Sequence, residues 1–458
     1  MATIDLNSLR SDLLALSDSA VRKAIQKGAN EAEAFLSAAD IISVNIRKKT
    51  VECRRGFPAG LGIRVVVEGK VGFAAETGTS SKSVENAVIE AMSVARIRPL
   101  DPSFKHLPDP VAMSSKDGII DRRIIGLSED DALASVSELA KGALQNDERV
   151  KSLYGSLSVV RACYAVANSR GIEGSARTAY MKASARSTVA DEGKQKTGSD
   201  LIVTRELVDF SQLGENATTK ALKMLKAKPL GRTGKNDVIW ESVSIGELYT
   251  YMLGAAADAE NVIEGRSCYK NMLGKGVASK NVTAVDDGQL PEGIETSMID
   301  GEGIPMRTTT IIEKGVLKSY IYNSYSSHRE NVESTGNAKR EWPEPFLQLP
   351  KTSTTNLVVN HGLKSASELV EEVGDGILVT DQVIGIGMSN LTTGEFSVVA
   401  PNAYLIEKGE ITRPLESISV AGSFFEALKK VPHIGSDARL LDVGKIPSMV
   451  LGDLTVSG

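Results

Sequence analysis

The stretch from Val150 to Arg205 constrains the fold more than any other part of the chain. Its runs LYGSLSVVRACYAVANSRG and MKASARSTVAD are rich in β-branched, aromatic and small residues, and read as long strands. Asn168-Ser169-Arg170-Gly171 and Asp191-Glu192-Gly193 supply turns. Strands joined by turns this short run antiparallel.

The flanking pattern is mixed. Leu13, Leu16, Ala20 and Ala24 recur at helical spacing from Leu9 to Lys27, and Gly28 marks a stop. Two strands are expected next, Ala32 to Ser37 and Ile41 to Lys48. The second alternates Ile42, Val44 and Ile46 with Ser43, Asn45 and Arg47, which suits a half-buried strand. GLGIRVVVEGKVGFAAE folds back at Glu68-Gly69-Lys70 as a hairpin. Ser81 or Ser83 opens a helix whose apolar face is Val84, Ala87, Val88, Ala91, Met92 and Ala95. Arg98 to Pro110 reads as a proline-containing linker, and a helix starts after Ser128. Another helix spans Glu215 to Lys226, and a second linker lies at Gly231 to Gly234.

Beyond Asp237 strands dominate. Lys-Gly turns recur in TTTIIEKGVLKSYIYN and AYLIEKGEITRPL. Glu333 to Pro350 has no periodicity and is expected to be loop. Helices and antiparallel strands in separate runs indicate an α+β fold. The expected division is residues 1–110, 111–231 and 232–458.

Composition excludes several classes. The 458 residues carry a net charge of −5 and are 41% hydrophobic and 24% charged, so a basic nucleic-acid footprint is absent. Cys53, Cys163 and Cys268 are far apart and form no CxxC pair. MATIDLNSLRSD lacks the apolar run of a secretory leader. The longest apolar runs are too short to span a bilayer, so a cytoplasmic protein is expected.

Chemical motifs are sparse. There is no GxxxxGK[ST] and no GxSxG. His106, His328, His361 and His433 are scattered in sequence, unlike the paired histidines of zinc sites. Asp286-Asp287 and Asp300-Gly301-Glu302 sit among glycines and read as turns. Asp258, Glu260 and Glu264 read as the solvated face of a helix.

Several segments carry a resemblance. They are Gly60 to Glu76, Met298 to Asn323, Ser334-Thr335-Gly336-Asn337, Thr354-Thr355-Asn356-Leu357, Gly376 to Gly422, His433 to Asp437, and Leu454-Thr455-Val456. In this order and spacing the chain resembles the TldD/PmbA family of peptide-processing metalloproteases over nearly its whole length. TldD-type members bind zinc through a His-Glu-x-x-x-His helix and a later cysteine. The matching helix here, Ser244 to Gly265, holds no histidine, and no cysteine follows Asp437. The chain therefore resembles the PmbA kind, also called TldE.

The resemblance implies a non-catalytic subunit of a cytoplasmic complex that processes peptides in a chamber. It implies zinc in a TldD-type partner and no cofactor in this chain. Thr354, Thr355, Asn356 and Leu357 are the candidate peptide-holding residues, as an exposed edge strand pairing with backbone. The alternative is that they satisfy local turn or strand hydrogen bonds. Two other functions stay open. One is a self-sufficient hydrolase using Glu247 or the Asp258/Glu260 pair with a metal. The other is a homodimer that binds peptides without cutting them.

Overall fold

The computed structural model describes residues 5–48, 50–144 and 147–458. Met1 to Ile4, at the start of the segment read as unlike a leader, lie outside them. The N-terminal half consists of α1 (Leu6–Gln26), β1 (Glu31–Arg47), β2 (Thr50–Gly56), β3 (Ala59–Val67), β4 (Lys70–Thr77), α2 (Ser81–Ile97), α3 (Arg122–Gly126), α4 (Glu129–Leu144), β5 (Val150–Asn168), β6 (Glu173–Asp191), β7 (Lys194–Thr204) and α5 (Ser211–Met224). All seven strands form one antiparallel sheet in the order β4-β3-β1-β5-β6-β7, with β2 beside the far end of β1. The segments 1–110 and 111–231 thus share a sheet: β1 and β5 pair from Glu33↔Asn168 to Arg47↔Tyr154.

The two strands expected over 32–48 are one strand. Ala32 to Asp40 are buried on both faces, and alternation starts only at Ile41. The change of pattern marks where one face of the sheet becomes uncovered, not where the strand breaks. The even-numbered residues of β1, from Ala32 to Ile46, pack beneath α1, α2, α4 and α5. Phe35 and Ala39 point to the opposite face. Cover is close where α4 meets α5. A Cβ on Gly142 would lie 2.0 Å from the Ser211 carbonyl oxygen, and one on Gly214 2.0 Å from that of Leu139.

The C-terminal half consists of β8 (Thr233–Trp240), α6 (Ser242–Tyr249), a π turn (Thr250–Gly254), α7 (Ala255–Ala257), α8 (Ala259–Ile263), β9 (Ala284–Asp287), β10 (Thr308–Glu313), β11 (Val316–Leu317), α9 (Ser324–Glu330), β12 (Ala338–Lys339), β13 (Lys351–Thr352), β14 (Leu357–Val359), α10 (Ala366–Val373), β15 (Gly376–Val379), β16 (Glu395–Ala400), β17 (Ala403–Glu407), β18 (Glu410–Leu415), β19 (Ile418–Ser423), α11 (Phe424–Leu428), β20 (Arg439–Leu441), β21 (Gly444–Ile446) and β22 (Met449–Ser457). One sheet runs β16-β19-β22-β8-β15-β17-β18 and another β11-β10-β9-β14-β21-β20. Their shared core holds Trp240, Tyr249, Ile311, Leu357, Phe396 and Phe424. The α+β class holds. The three expected hairpins form, with positive φ at Glu68, Lys314 and Lys408 and at the glycine after each, the combination of a type I′ turn. Glu333 to Pro350 is loop apart from the two residues of β12 and a single 3₁₀ turn. No helix among the described residues is long and apolar enough to cross a membrane.

The second face of the N-terminal sheet rests on the C-terminal half. Phe35, Val166 and Ala176 meet Ile299, Ile304 and Phe346. Val160, Tyr180 and Val203 meet Ile294 and Trp342. Arg205, 1% exposed, donates to the carbonyls of Gly293, Ile294 and Thr296. The proline stretch is pinned rather than free. Leu107 N–H donates to Glu31, and Asn168 donates to the Pro108 carbonyl. The second linker is shorter than expected, because Thr233 and Gly234 already pair with Ser457 and Val456. A single protease cut engineered between Lys226 and Arg232 should therefore leave the two fragments associated. Size-exclusion chromatography of the cut chain checks this; two separate peaks without denaturant would contradict it.

Candidate functional site

The motifs singled out in the sequence converge on one buried polar network. Asp286, Asp300 and Glu302 are at most 1% exposed. Asp300-Gly301-Glu302 makes the expected turn, closed by Gly303 N–H donating to the Asp300 carbonyl at 3.1 Å, whereas Asp286 and Asp287 are not a turn but lie in β9. Asp286 accepts from Thr355 N–H (2.6 Å), Thr355 Oγ1 (3.0 Å) and Asn337 Nδ2 (2.6 Å). Burial outweighs these donors and pushes its carboxyl up to about 6. Asp300 accepts from the N–H groups of Glu302 (2.9 Å), Ile304 (3.0 Å) and Ala338 (3.0 Å). Burial and the charge of Glu302 push it up.

Glu302 behaves oppositely. Burial opposes its charge, but Arg64 and Ser324 outweigh that and hold it below the usual range. Arg64 Nη2 lies 3.0 Å from Glu302 and 2.6 Å from Glu33. Arg340 Nη2 donates to the other Glu33 oxygen at 2.8 Å, and Arg340 Nε to the Gly301 carbonyl at 2.9 Å. The Arg340 guanidinium also sits 4.5 Å from the centre of the Phe35 ring. Two carboxylates and two guanidiniums thus neutralise one another across the two halves, beside the raised Asp300. Glu33, Arg64 and Arg340 carried no motif. For Glu33 and Arg64 the available signal was a charged residue within an expected strand; Arg340, in the segment expected to be loop, had none.

Thr354 to Leu357 are buried, from 7% exposed at Thr354 to 0% at Leu357. They do not form an exposed edge. β14 lies between β9 and β21. Leu357 N–H donates to Val443, and the Asn356 carbonyl accepts from Asp287. Asn356 Nδ2 donates to the Asp287 carbonyl and to Thr296 Oγ1, both at 2.9 Å. The strand had to join a sheet to satisfy its backbone, and these residues make the local bonds of the alternative reading. Thr355 also lines a narrow cleft with Tyr164, Glu295, Asn337, Lys339 and Arg340.

A more open surface lies on the second face of the N-terminal sheet, beyond the apolar contact. Cross-strand pairing aligns Asn45, Ser156, Ser184 and Leu201 in one row and Ser43, Ser158, Lys182 and Val203 in the next. Ser156 and Ser184 share a hydrogen bond of 2.7 Å. Asp442 closes one side of this groove, and Val243, Asp381 and Gln382 border its continuation past Tyr154 and Arg186. The polar half of the alternation at Ser43 and Asn45 was its sequence signal.

The helix expected over 244–265 is interrupted. A π turn spans Thr250–Gly254, and the chain restarts at Asp258. The acidic residues on it serve separate structural ends. Glu247 accepts from Gln382 (3.1 Å), Asp258 caps α8 through Glu260 N–H (2.9 Å), and Glu260 accepts from Asn323 (3.1 Å). Asp258 is not on a solvated face; burial pushes it up to about 7. Among the described residues no group of three His, Cys, Asp or Glu is placed to hold a metal ion. His106 and His328, far apart in sequence, lie with ring centres 4.2 Å apart and ring planes inclined at 45°. His361 is exposed, and His433 lies 3.5 Å from Glu372.

Three variants test these assignments. Thr355→Pro removes a donor to buried Asp286 and should cost about 2–4 kcal/mol in urea unfolding. Asn356→Ala should also destabilise measurably, whereas an exposed edge strand would tolerate it. Asp258→Asn keeps the cap and removes the titration. A carboxyl raised above its unfolded value contributes stability fully present below about 4 and lost as pH rises through about 7. Asp258→Asn should thus match the parent near pH 4 and exceed it by on the order of 2 kcal/mol at pH 8. Equal stability differences at both pH values would show that Asp258 is not desolvated.

Family models cover most of the chain: PmbA/TldA metallopeptidase domain 1 matches residues 32–95, the central domain 122–225 and the C-terminal domain 233–458. An uncharacterized protein of Methanocaldococcus jannaschii is 29% identical over 88% of this chain and 91% of its own. Metalloprotease PmbA of Escherichia coli O157:H7 is 24% identical over 93% of this chain and 92% of its own. The crystal structure of TldE from Thermococcus kodakarensis shares the fold, with a TM-score of 0.88 at 21% identity over 97% of this chain and 100% of its own. The chain belongs to the PmbA/TldD metallopeptidase family.

Proposed function

We propose that this chain is the PmbA/TldE-type subunit of a cytoplasmic peptidase complex in which a TldD-type partner holds the zinc. The observation that carries this reading is the donor set on the interrupted helix from Ser242 to Ile263. That segment has no histidine, and Glu247, Asp258 and Glu260 are tied to Gln382, to the start of α8 and to Asn323. These residues do not fit a zinc centre, which needs three or four converging ligands. On this reading the polarisation of the scissile carbonyl and the activation of water belong to the partner.

The role left to this chain is to shape the chamber and hold the peptide. The open rows at Asn45, Ser156 and Ser184 and at Ser43, Ser158 and Lys182 suit that role. Short hydroxyl side chains bond to peptide N–H and C=O groups with little demand on sequence. The buried Thr354 to Leu357 segment then acts one layer away, by fixing the sheet behind the cleft.

The purified chain alone should contain far less than one zinc per molecule and should not cleave unstructured peptides. Mixed with a TldD-type protein from the same genome, it should support cleavage that chelators abolish. Ser184→Phe, which fills the groove, should lower kcat/KM of the mixture about tenfold without loss of assembly. Chelator-resistant cleavage by the chain alone would overturn the subunit reading.

A further inference from the structure

A second cleft, of about 460 Å³, lies beside α10, on the face of the β8–β15 sheet away from its main core. That size is in the range of small-ligand pockets. Its walls are aliphatic, from Ile239, Leu369, Val370, Leu378 and Ile411. Its polar lining is acidic: Glu241, Glu371, Glu410 and Asp437, with no Lys, Arg or His among the lining residues. Asp437 is already engaged by Ser448 N–H (3.0 Å) and Ser448 Oγ (2.6 Å). Glu241, at the end of β8, makes no side-chain hydrogen bond even to cap α6.

Glu241 is half-buried, so water compensates its carboxylate only in part. Lys220 on α5 faces Glu241 but donates to the Thr380 carbonyl at 3.3 Å. Asp381 after β15, Asp437 before β20 and Asp200 on β7 also face Glu241, all acidic, and Tyr404 on β17 lies close to it. We propose that this cleft binds an aliphatic primary ammonium ion, with the alkyl chain on Ile239, Leu378 and Ile411 and the ammonium on Glu241. Exposed Glu371 and Glu410 at the mouth favour a second ammonium at the other end of the chain, so an α,ω-alkyl diamine should bind more tightly than a lysine side chain. Burial pushes Glu241 up to about 7, which makes the affinity pH-dependent across neutrality. The inference concerns a site separate from the polar groove and does not depend on the peptidase reading.

The test uses the full chain without a partner or an activity assay. Isothermal titration at pH 8 is run with 1,5-diaminopentane, with an acetylated lysine amide, and with 1-pentanol. The diamine should bind more tightly than the lysine amide, and the alcohol at least about tenfold more weakly than the diamine. Tighter binding by the lysine amide would identify a peptide side chain as the occupant and overturn the diamine preference. Binding should weaken at least about tenfold at pH 5.5, as Glu241 takes up a proton. Glu241→Gln should weaken the diamine at least about tenfold while melting no lower than the parent. Ile411→Lys, at a half-exposed position on the rim, should block the site without loss of stability. No detectable binding of either amine at tens of millimolar, or equal affinity in the Glu241→Gln variant, would overturn the proposal.

Discussion

The pairing of Glu33 and Arg64 from the N-terminal sheet with Glu302 and Arg340 from the C-terminal half is the contact on which the rest of the molecule depends. All four are almost wholly buried. Removing one partner from such a set leaves an uncompensated charge and costs about 3–5 kcal/mol. The same geometry penalises any relative shift of the two halves, because each guanidinium must meet its carboxylate at hydrogen-bond distance. The network specifies where the halves meet, and the apolar contacts around Phe35, Ile299 and Phe346 supply the area.

That specification has a consequence for the sheet. Helices cover most of one face, and the second face meets the C-terminal half. The C-terminal half takes the apolar end of that face, and the polar rows at Ser156 and Ser184 stay open next to α6 and Gln382. The interrupted helix that begins at Ser242 borders this groove through Val243. Its carboxylates hold the local fold together.

The motifs that mark the family carry architecture here more than chemistry. Asp300 organises the turn to Ile304 and the start of β12, and Asp286 ties Asn337 to Thr355. Each brings together two segments distant in sequence. A buried carboxyl that accepts several backbone or side-chain donors defines a loop more sharply than apolar packing does.

Periodicity and turn chemistry determined much of the fold without the tertiary structure. The helix faces at Leu13 to Ala24 and Val84 to Ala95, the type I′ hairpins and the long strands from Val150 to Arg205 follow from local rules. The lack of paired histidines was also legible. Three matters were decided only in space. Residues 38–40 looked like a break between two strands because burial on both faces removes alternation. Thr354 to Leu357 looked like an edge because a short polar run carries no record of its two neighbours in the sheet. The burial of the carboxylates at 286, 300 and 302 was hidden because acidic residues beside glycine usually mark solvated turns. Their burial depends on Arg64, Arg340 and Asn337 arriving from elsewhere in the chain, and local sequence holds no trace of such long-range pairing.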